Sequence, residues 1–197
     1  GIILSTAYAE RTGVQIHPAS YMAQTLGIRP TKLYQRVENQ CGSGTTAIRT
    51  AWWAIASGYI DLVMCVGAEK LLIPSHSEIF FNASAACDKE WEGCFGINPP
   101  SLFAMVAQAH MQKYGTTEEQ LAMVALKNHT HALKTPYAHH YESYQKRGKV
   151  TLETIMKSRP IAYPLKLYDC STNTDGAAAI ILASEEKAKE LTDKPVY

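Results

Sequence analysis

The chain opens on an apolar run, Ile2-Ile3-Leu4, that reads as a short buried strand over 2–5. His17 to Leu26 has helical spacing, with Gly27 and Pro30 as stop signals. Residues 33–40 partly alternate and lead to Cys41. From Thr45 to Ser57 the only charge is Arg49, and Gly58 supplies the C-terminal stop. A helix apolar nearly all round is expected to be buried on most sides, with Trp52 and Trp53 in core packing, although an exposed Trp53 would suit a subunit contact. Asp61 to Gly67 then reads as an interior strand with few polar residues. Strand, tight turn, buried helix and strand make an α/β unit.

Between about residue 70 and residue 160 the composition shifts toward Tyr, His, Lys and Gln. Helices are predicted near Leu102–Tyr114, from Thr117 to about Leu133, and from Thr151 to before Pro160. Thr117-Glu118-Glu119-Gln120 is a capping-box signal for the second of them. Ala177–Ala183 reads as another buried strand, and Ser184–Leu191 as an exposed charged helix with Glu185, Glu186 and Lys187 in water. The predicted organisation is a core over 1–70, an inserted, mostly helical subdomain over 71–160, and a return to the core over 161–197.

Composition narrows the function. Apolar residues make up 46% and charged residues 19%, a soluble globular profile. With 19 basic against 18 acidic residues the formal charge is +1, which gives no broad electrostatic surface for nucleic acid; a local basic patch for a nucleotide phosphate is still allowed. Five thinly spread cysteines (Cys41, Cys65, Cys87, Cys94, Cys170) do not form a disulfide framework or a zinc knuckle, and suit reduced thiols in a cytoplasmic protein. No run is apolar enough to cross a bilayer as a helix, and there is no secretory h-region. The start in a strand-like run and the stop at Pro195-Val196-Tyr197 suggest an excerpt of a longer chain.

Cys41 sits where a strand ends and the apolar helix begins. The unpaired N–H groups of a helix's first turn favour negative charge and can lower a thiol's pKa. Gly42 and Gly44 leave space before the sulfur and let backbone approach a ligand closely. Strand–turn–helix also projects nucleophiles in other acyl-transfer enzymes. From the residues alone, a catalytic thiol and a small buried core residue stand as equal readings. The histidines add little: His129 and His131 point apart on a helix, His139 and His140 read as solvated loop residues, His110 and His17 as helix residues, and His76 as a loop residue.

Asn39-Gln40-Cys41-Gly42-Ser43-Gly44, followed by Thr-Thr-Ala-Ile, resembles the nucleophile motif of the thiolases. Further segments resemble the same family in order: Val66-Gly67-Ala68-Glu69-Lys70, Tyr114 to Ala122 with Val124 to His129, Ser158-Arg159-Pro160-Ile161-Ala162, and Asp169 to Ala179. They are most similar to archaeal-type acetyl-CoA acetyltransferases and sterol-carrier-protein-type thiolases. The resemblance implies a layered α/β fold with a mixed sheet, a buried nucleophile helix and a mostly helical loop subdomain covering coenzyme A. It implies Cys41 as the nucleophile that holds an acyl group as a thioester, and Claisen condensation of two acetyl-CoA or the reverse thiolysis. Ser171, Thr172 and Asn173 match the segment near the pantetheine arm. Coenzyme A thioesters would be substrates, with no separate cofactor and no metal. A homodimer or higher homo-oligomer is implied, and in archaeal-type members an assembly with hydroxymethylglutaryl-CoA synthase through a small bridging protein.

The thiolase pattern also contains an N-terminal strand inside the sheet and a C-terminal repeat with an activating histidine and, in many members, a second cysteine; neither is matched here. A missing interior strand is expected to leave a gap, with unpaired backbone and uncovered apolar surface. The competing readings are a ketoacyl synthase or hydroxymethylglutaryl-CoA synthase, and a non-catalytic thiolase-like subunit or scaffold.

Overall fold

The computed structural model describes residues 1–29, 32–73 and 76–197; of His76 and Phe80 only the backbone is described. Pro30, expected to help stop the first helix, lies outside the described residues. Two compact units are present, one of Gly1–Pro74 with Thr174–Tyr197, the other Ser75–Asn173.

The first unit is built on a four-stranded sheet. Its elements in chain order are β1 (Ile2–Ser5), α1 (Ala9–Thr12), α2 (Pro18–Leu26), β2 (Tyr34–Val37), α3 (Ser43–Ala56) and β3 (Leu62–Glu69). After the inserted unit come β6 (Gly176–Ala183) and α9 (Glu185–Leu191), described here because they close this sheet. The order is β2-β1-β3-β6; β1 runs parallel to both neighbours, and β6 antiparallel to β3 along its whole length. The gap expected inside the sheet is therefore not present among the described residues: β1 is paired on both edges.

Strand alternation sorts the side chains onto two faces. Ile3, Val63 and Cys65 pack with Ala47 and Ala51 of α3, with Leu33, Val37, Ile55 and Leu182 at the margin. Ile2 and Leu4 are buried on the other face, where α2 packs against β1 and β2 with Ala19 and Ala23 buried. Each buried Ile or Val contributes roughly 1.5–3 kcal/mol. Alanines at the contact let α3 lie close to the sheet.

Two burial expectations are corrected. The helix after Cys41, α3, is not buried on most sides: Ile48, Trp52 and Trp53 are exposed, and the Arg49 guanidinium stacks over the Trp53 ring at 5.0 Å. The Ala47–Ala51 face of α3 meets the sheet, with Ile55 at its margin. Nor is β6 a buried strand. It forms the sheet edge, exposed from Gly176 to Ile181, because α2 lies over β1 and β2 rather than over β6.

The second unit is mostly helical: α4 (His76–Ser84), α5 (Pro99–Tyr114), α6 (Glu118–Ala132), α7 (Tyr141–Arg147) and α8 (Leu152–Met156), with a small hairpin of β4 (Pro160–Ala162) and β5 (Leu165–Lys166). Asn98 caps α5 in a reciprocal box with Ser101, with Pro99 and Pro100 opening the helix. Thr117 and Gln120 form the capping box expected for α6. Ala122, Ala125 and Ile155 are the buried centre, ringed by Leu126, Val150, Leu152, Met156 and Tyr168. The sequence reading drew the insertion at 71–160; β4 and β5 also cluster with this unit, and α4 and α7 carry no apolar period strong enough to read. His76, expected in a loop, begins α4.

Candidate active site

Three parallel strands deliver their carboxyl ends to one place, where open α/β sheets carry their sites. Tyr8 follows β1, Gln40 and Cys41 follow β2, and Glu69 ends β3. The link from β2 into α3 is a tight reversal. Gly42 N–H donates to Asn39 O at 2.9 Å and Ser43 N–H to Gln40 O at 3.0 Å. Gln40 adopts φ +48°, a left-handed conformation costing a non-glycine residue roughly 1–2 kcal/mol. The buried Ser43 hydroxyl braces the turn, donating to Gln40 O at 2.5 Å and accepting Asn39 N–H at 2.9 Å. Glu38 accepts the N–H of Gln40.

The reversal leaves Cys41 exposed beside the first turn of α3. The first helical N–H to find an intrahelical acceptor is Thr46, bonded to Gly42 O at 3.0 Å. The N–H groups of Gly44 and Thr45 meet no acceptor among the described residues, as expected for helix termini. A Cβ on Gly42 would stand 3.2 Å from Asn39 O and 3.3 Å from Asn39 Nδ2, so the turn requires glycine-like space there. A Cβ on Gly44 would meet nothing within 4 Å, so the surroundings described place no such demand on it.

The Cys41 thiol faces the Gln40 side chain, with Sγ 3.7 Å from Oε1. Gln40 Nε2 donates in turn to the Tyr8 hydroxyl at 3.1 Å. Burial, chiefly, holds the Tyr8 phenol above its ordinary pKa; the hydrogen bond from Gln40 opposes the shift, and the charges of Cys41 and Glu69 add to it. Glu69 accepts Ala7 N–H through Oε1, while its buried Oε2 meets no hydrogen-bond partner among the described residues. Tyr8, Ser43 and Glu69 carried no functional reading in the sequence. Glu69 stood inside a quoted motif, but only the parallel register of β1 with β2 brings Tyr8 to Gln40.

The remaining residues fall elsewhere. Ser171, Thr172 and Asn173 form an exposed irregular segment that ends the second unit, whereas Cys41 belongs to the first. Cys65 is a core thiol, raised by burial and directed at Ala47 O. Cys170 is half-buried and raised by burial and by Asp169; Cys87 is half-buried and Cys94 exposed. His17 opens α2 in an exposed position, and His110 is exposed on α5.

His140 departs from the solvated-loop expectation. It stacks on the buried Tyr144 with ring centroids 5.1 Å apart. His129 is fixed through Nδ1 to the Tyr144 hydroxyl at 2.8 Å and through Nε2 to Tyr168 O at 2.9 Å. Beside this cluster lies a cavity of about 300 Å³ lined by His140, Ser143, Arg147, Lys149, Thr154 and Tyr168. Among the described residues no group of three or more His, Cys, Asp or Glu is placed to hold a metal ion. No described helix is long and apolar enough to cross a membrane.

Residues 1–186 match the thiolase N-terminal domain. Over 185 residues the chain is 44% identical to the acetyl-CoA acetyltransferase of Methanothermobacter thermautotrophicus, covering 93% of this chain and 45% of that protein. Sterol carrier protein 2 of Bos taurus is 34% identical over 166 residues, 81% of this chain and 30% of its own length. The chain thus spans less than half the length of these curated relatives. Among solved structures, Ltp2-ChsH2(DUF35) aldolase superposes with a TM-score of 0.73 at 29% identity, covering 96% of this chain and 46% of that one.

Proposed function

The chain belongs to the thiolase family through its N-terminal domain, and from that premise we propose an acyl-CoA C-acyltransferase that carries its acyl group on Cys41. The observation supporting this is the exposed Cys41 thiol at the carboxyl end of a parallel strand, beside a helix first turn with unclaimed N–H groups. The sulfur, as thiolate, attacks the acyl-CoA carbonyl; the new C–S bond forms, and the bond to coenzyme A breaks with the coenzyme leaving as its thiolate, which takes up the proton the cysteine gave up. An enolate of a second acetyl-CoA then attacks the acyl-cysteine, forming the C–C bond of acetoacetyl-CoA and releasing the Cys41 thiolate. Thiolysis runs these steps in reverse. Unclaimed N–H groups near the sulfur suit the oxyanion that develops at each attack.

The first unit's only histidine, His17, lies exposed at the start of α2, and we assign the base to no residue of this chain. Ser171, Thr172 and Asn173 are proposed for the pantetheine arm. A cytoplasmic homo-oligomer belongs to the same proposal. So does a partner assembly of hydroxymethylglutaryl-CoA synthase and a bridging protein, in keeping with a relative solved with a DUF35 protein.

That relative is an aldolase, which favours a second reading: carbon–carbon cleavage that leaves no acyl group on the enzyme. Brief incubation of the full-length protein with acetyl-CoA separates the two. Trypsin releases Val37–Arg49, which contains Cys41 and no other cysteine. An acetyl group on that peptide, absent in Cys41→Ala, is the expected result. An unmodified peptide from protein that binds coenzyme A would overturn the transferase reading and leave the aldolase or a non-catalytic subunit.

A further inference from the structure

We propose that Gln40 and Tyr8 are positioning residues for the nucleophile: Tyr8 holds the Gln40 side chain so that its carbonyl oxygen, rather than its N–H, faces the Cys41 thiol. The inference rests on the reading of Cys41 as the acyl carrier. An amide can offer a sulfur either end. Here Nε2 is committed to the Tyr8 hydroxyl at 3.1 Å, which leaves Oε1 for the thiol at 3.7 Å.

The backbone makes the same commitment. Gln40 is held at φ +48° by Glu38 on its N–H and by Ser43 on its carbonyl oxygen, from both backbone and hydroxyl. A strained non-glycine residue fixed from several sides marks a place where geometry has been over-determined. Its side chain is the hydrogen-bonding group the structure gives to the thiol.

The contact aims the sulfur, and an acceptor facing a thiol favours S–H over S⁻. Acyl transfer from coenzyme A then requires the S–H···Oε1 contact to break. Without the Tyr8 hydroxyl, the amide is free to turn its N–H toward sulfur and stabilise the thiolate. The other ionisable groups that bear on this cluster are Glu69 and Arg11, which act on Tyr8, and Glu38 behind Gln40. Tyr8→Phe leaves all three in place.

The test uses the full-length protein and follows peptide 37–49 by two routes. One is its alkylation rate with iodoacetamide across the thiol range around about pH 8.5; the other is its acetylation rate with acetyl-CoA. In Tyr8→Phe the alkylation midpoint is expected to move to lower pH, and acetylation to slow about three- to tenfold, the scale of one hydrogen bond, because a sulfur turned to a mobile amide N–H is no longer aimed at the acyl-CoA carbonyl. Gln40→Met should move the midpoint the same way, and adding Tyr8→Phe to it should change nothing further, because Tyr8 acts through Gln40. A purely structural role would lower the melting temperature without moving the midpoint. A Tyr8→Phe profile superposable on wild type, or additive effects of the two substitutions, would overturn the proposal. Were wild-type Cys41 never acetylated, the transferase reading would fail, while the alkylation profiles would still decide the role of Gln40 and Tyr8.

Discussion

The hydroxyl of Ser43 donates to the carbonyl oxygen of Gln40 at 2.5 Å, from a side chain only 5% exposed. The Ser43 hydroxyl oxygen also accepts Asn39 N–H, so one buried side chain ties Asn39 and Gln40 to the start of α3. Ser43→Ala removes both bonds, leaving the Asn39 N–H without this acceptor and the Gln40 carbonyl with the Ser43 N–H. It is expected to cost about 1–3 kcal/mol in urea unfolding and to slow acetylation of peptide 37–49. Unchanged stability together with unchanged acetylation would show that the turn needs no brace.

Arg36 on β2 holds Glu10 on α1 by a two-pronged contact, Nη1 to Oε1 and Nη2 to Oε2, the latter at 3.0 Å. The hydrogen bond from Arg36 is the main cause holding the Glu10 carboxyl below its ordinary pKa. A depressed folded pKa means stability present above about pH 4.3, the unfolded value, and lost as pH falls through the lower folded one. Solvent reaches nearly half of the Glu10 side chain, so the pair is worth no more than about 1 kcal/mol. Glu10→Gln should therefore be slightly less stable than wild type at pH 7, and the difference should vanish in strong acid. A difference that persists there would assign the effect to packing.

The parts of the fold that local chemistry dictates were legible. Ile2–Leu4, Leu62–Gly67 and the Thr117–Gln120 box appear where period and capping placed them. Burial was not legible for Trp52, Trp53 or Ile181, since an apolar pattern states what a surface can bury but not what covers it. Around Cys41 the motif singled out the thiol and the glycines at 42 and 44 for open space before the sulfur; the contact with Asn39 that Gly42 avoids was not legible. It could not give Tyr8, whose approach to Gln40 depends on strand register across 32 positions. His140 was misread because its partner, Tyr144, becomes buried only when α7 forms.

That histidine supplies a pH prediction for the second unit. Burial first, then the neighbouring His139 and His129, hold the His140 pKa below its ordinary value. The unfolded chain therefore binds more protons than the folded one in the window below about pH 6.5. Stability due to His140 is complete above that pH and falls away as pH drops through the folded pKa. Urea unfolding at about pH 7.5 and about pH 5.5 should show a larger loss for wild type than for His140→Gln. Equal losses in the two proteins would remove His140 as a cause.

The outer face of α3 and the far face of β6 make the last case. Trp52 is 59% exposed and Ile181 is 65% exposed, on opposite sides of the same sheet. A single apolar side chain in water is ordinary, but Ile48, Trp52 and Trp53 share one helix, and Ile180 and Ile181 lie on an eight-residue edge strand. Edge strands of this length and apolarity invite association unless a charge interrupts them. The 197-residue chain alone should thus bind a hydrophobic dye in its folded state and sediment faster as concentration rises. Ile181→Lys should suppress the association and leave much of the dye signal, and adding Trp52→Lys should remove most of the remainder. Dye binding that survives both substitutions would place the sticky surface elsewhere and detach it from the sheet edge and from α3.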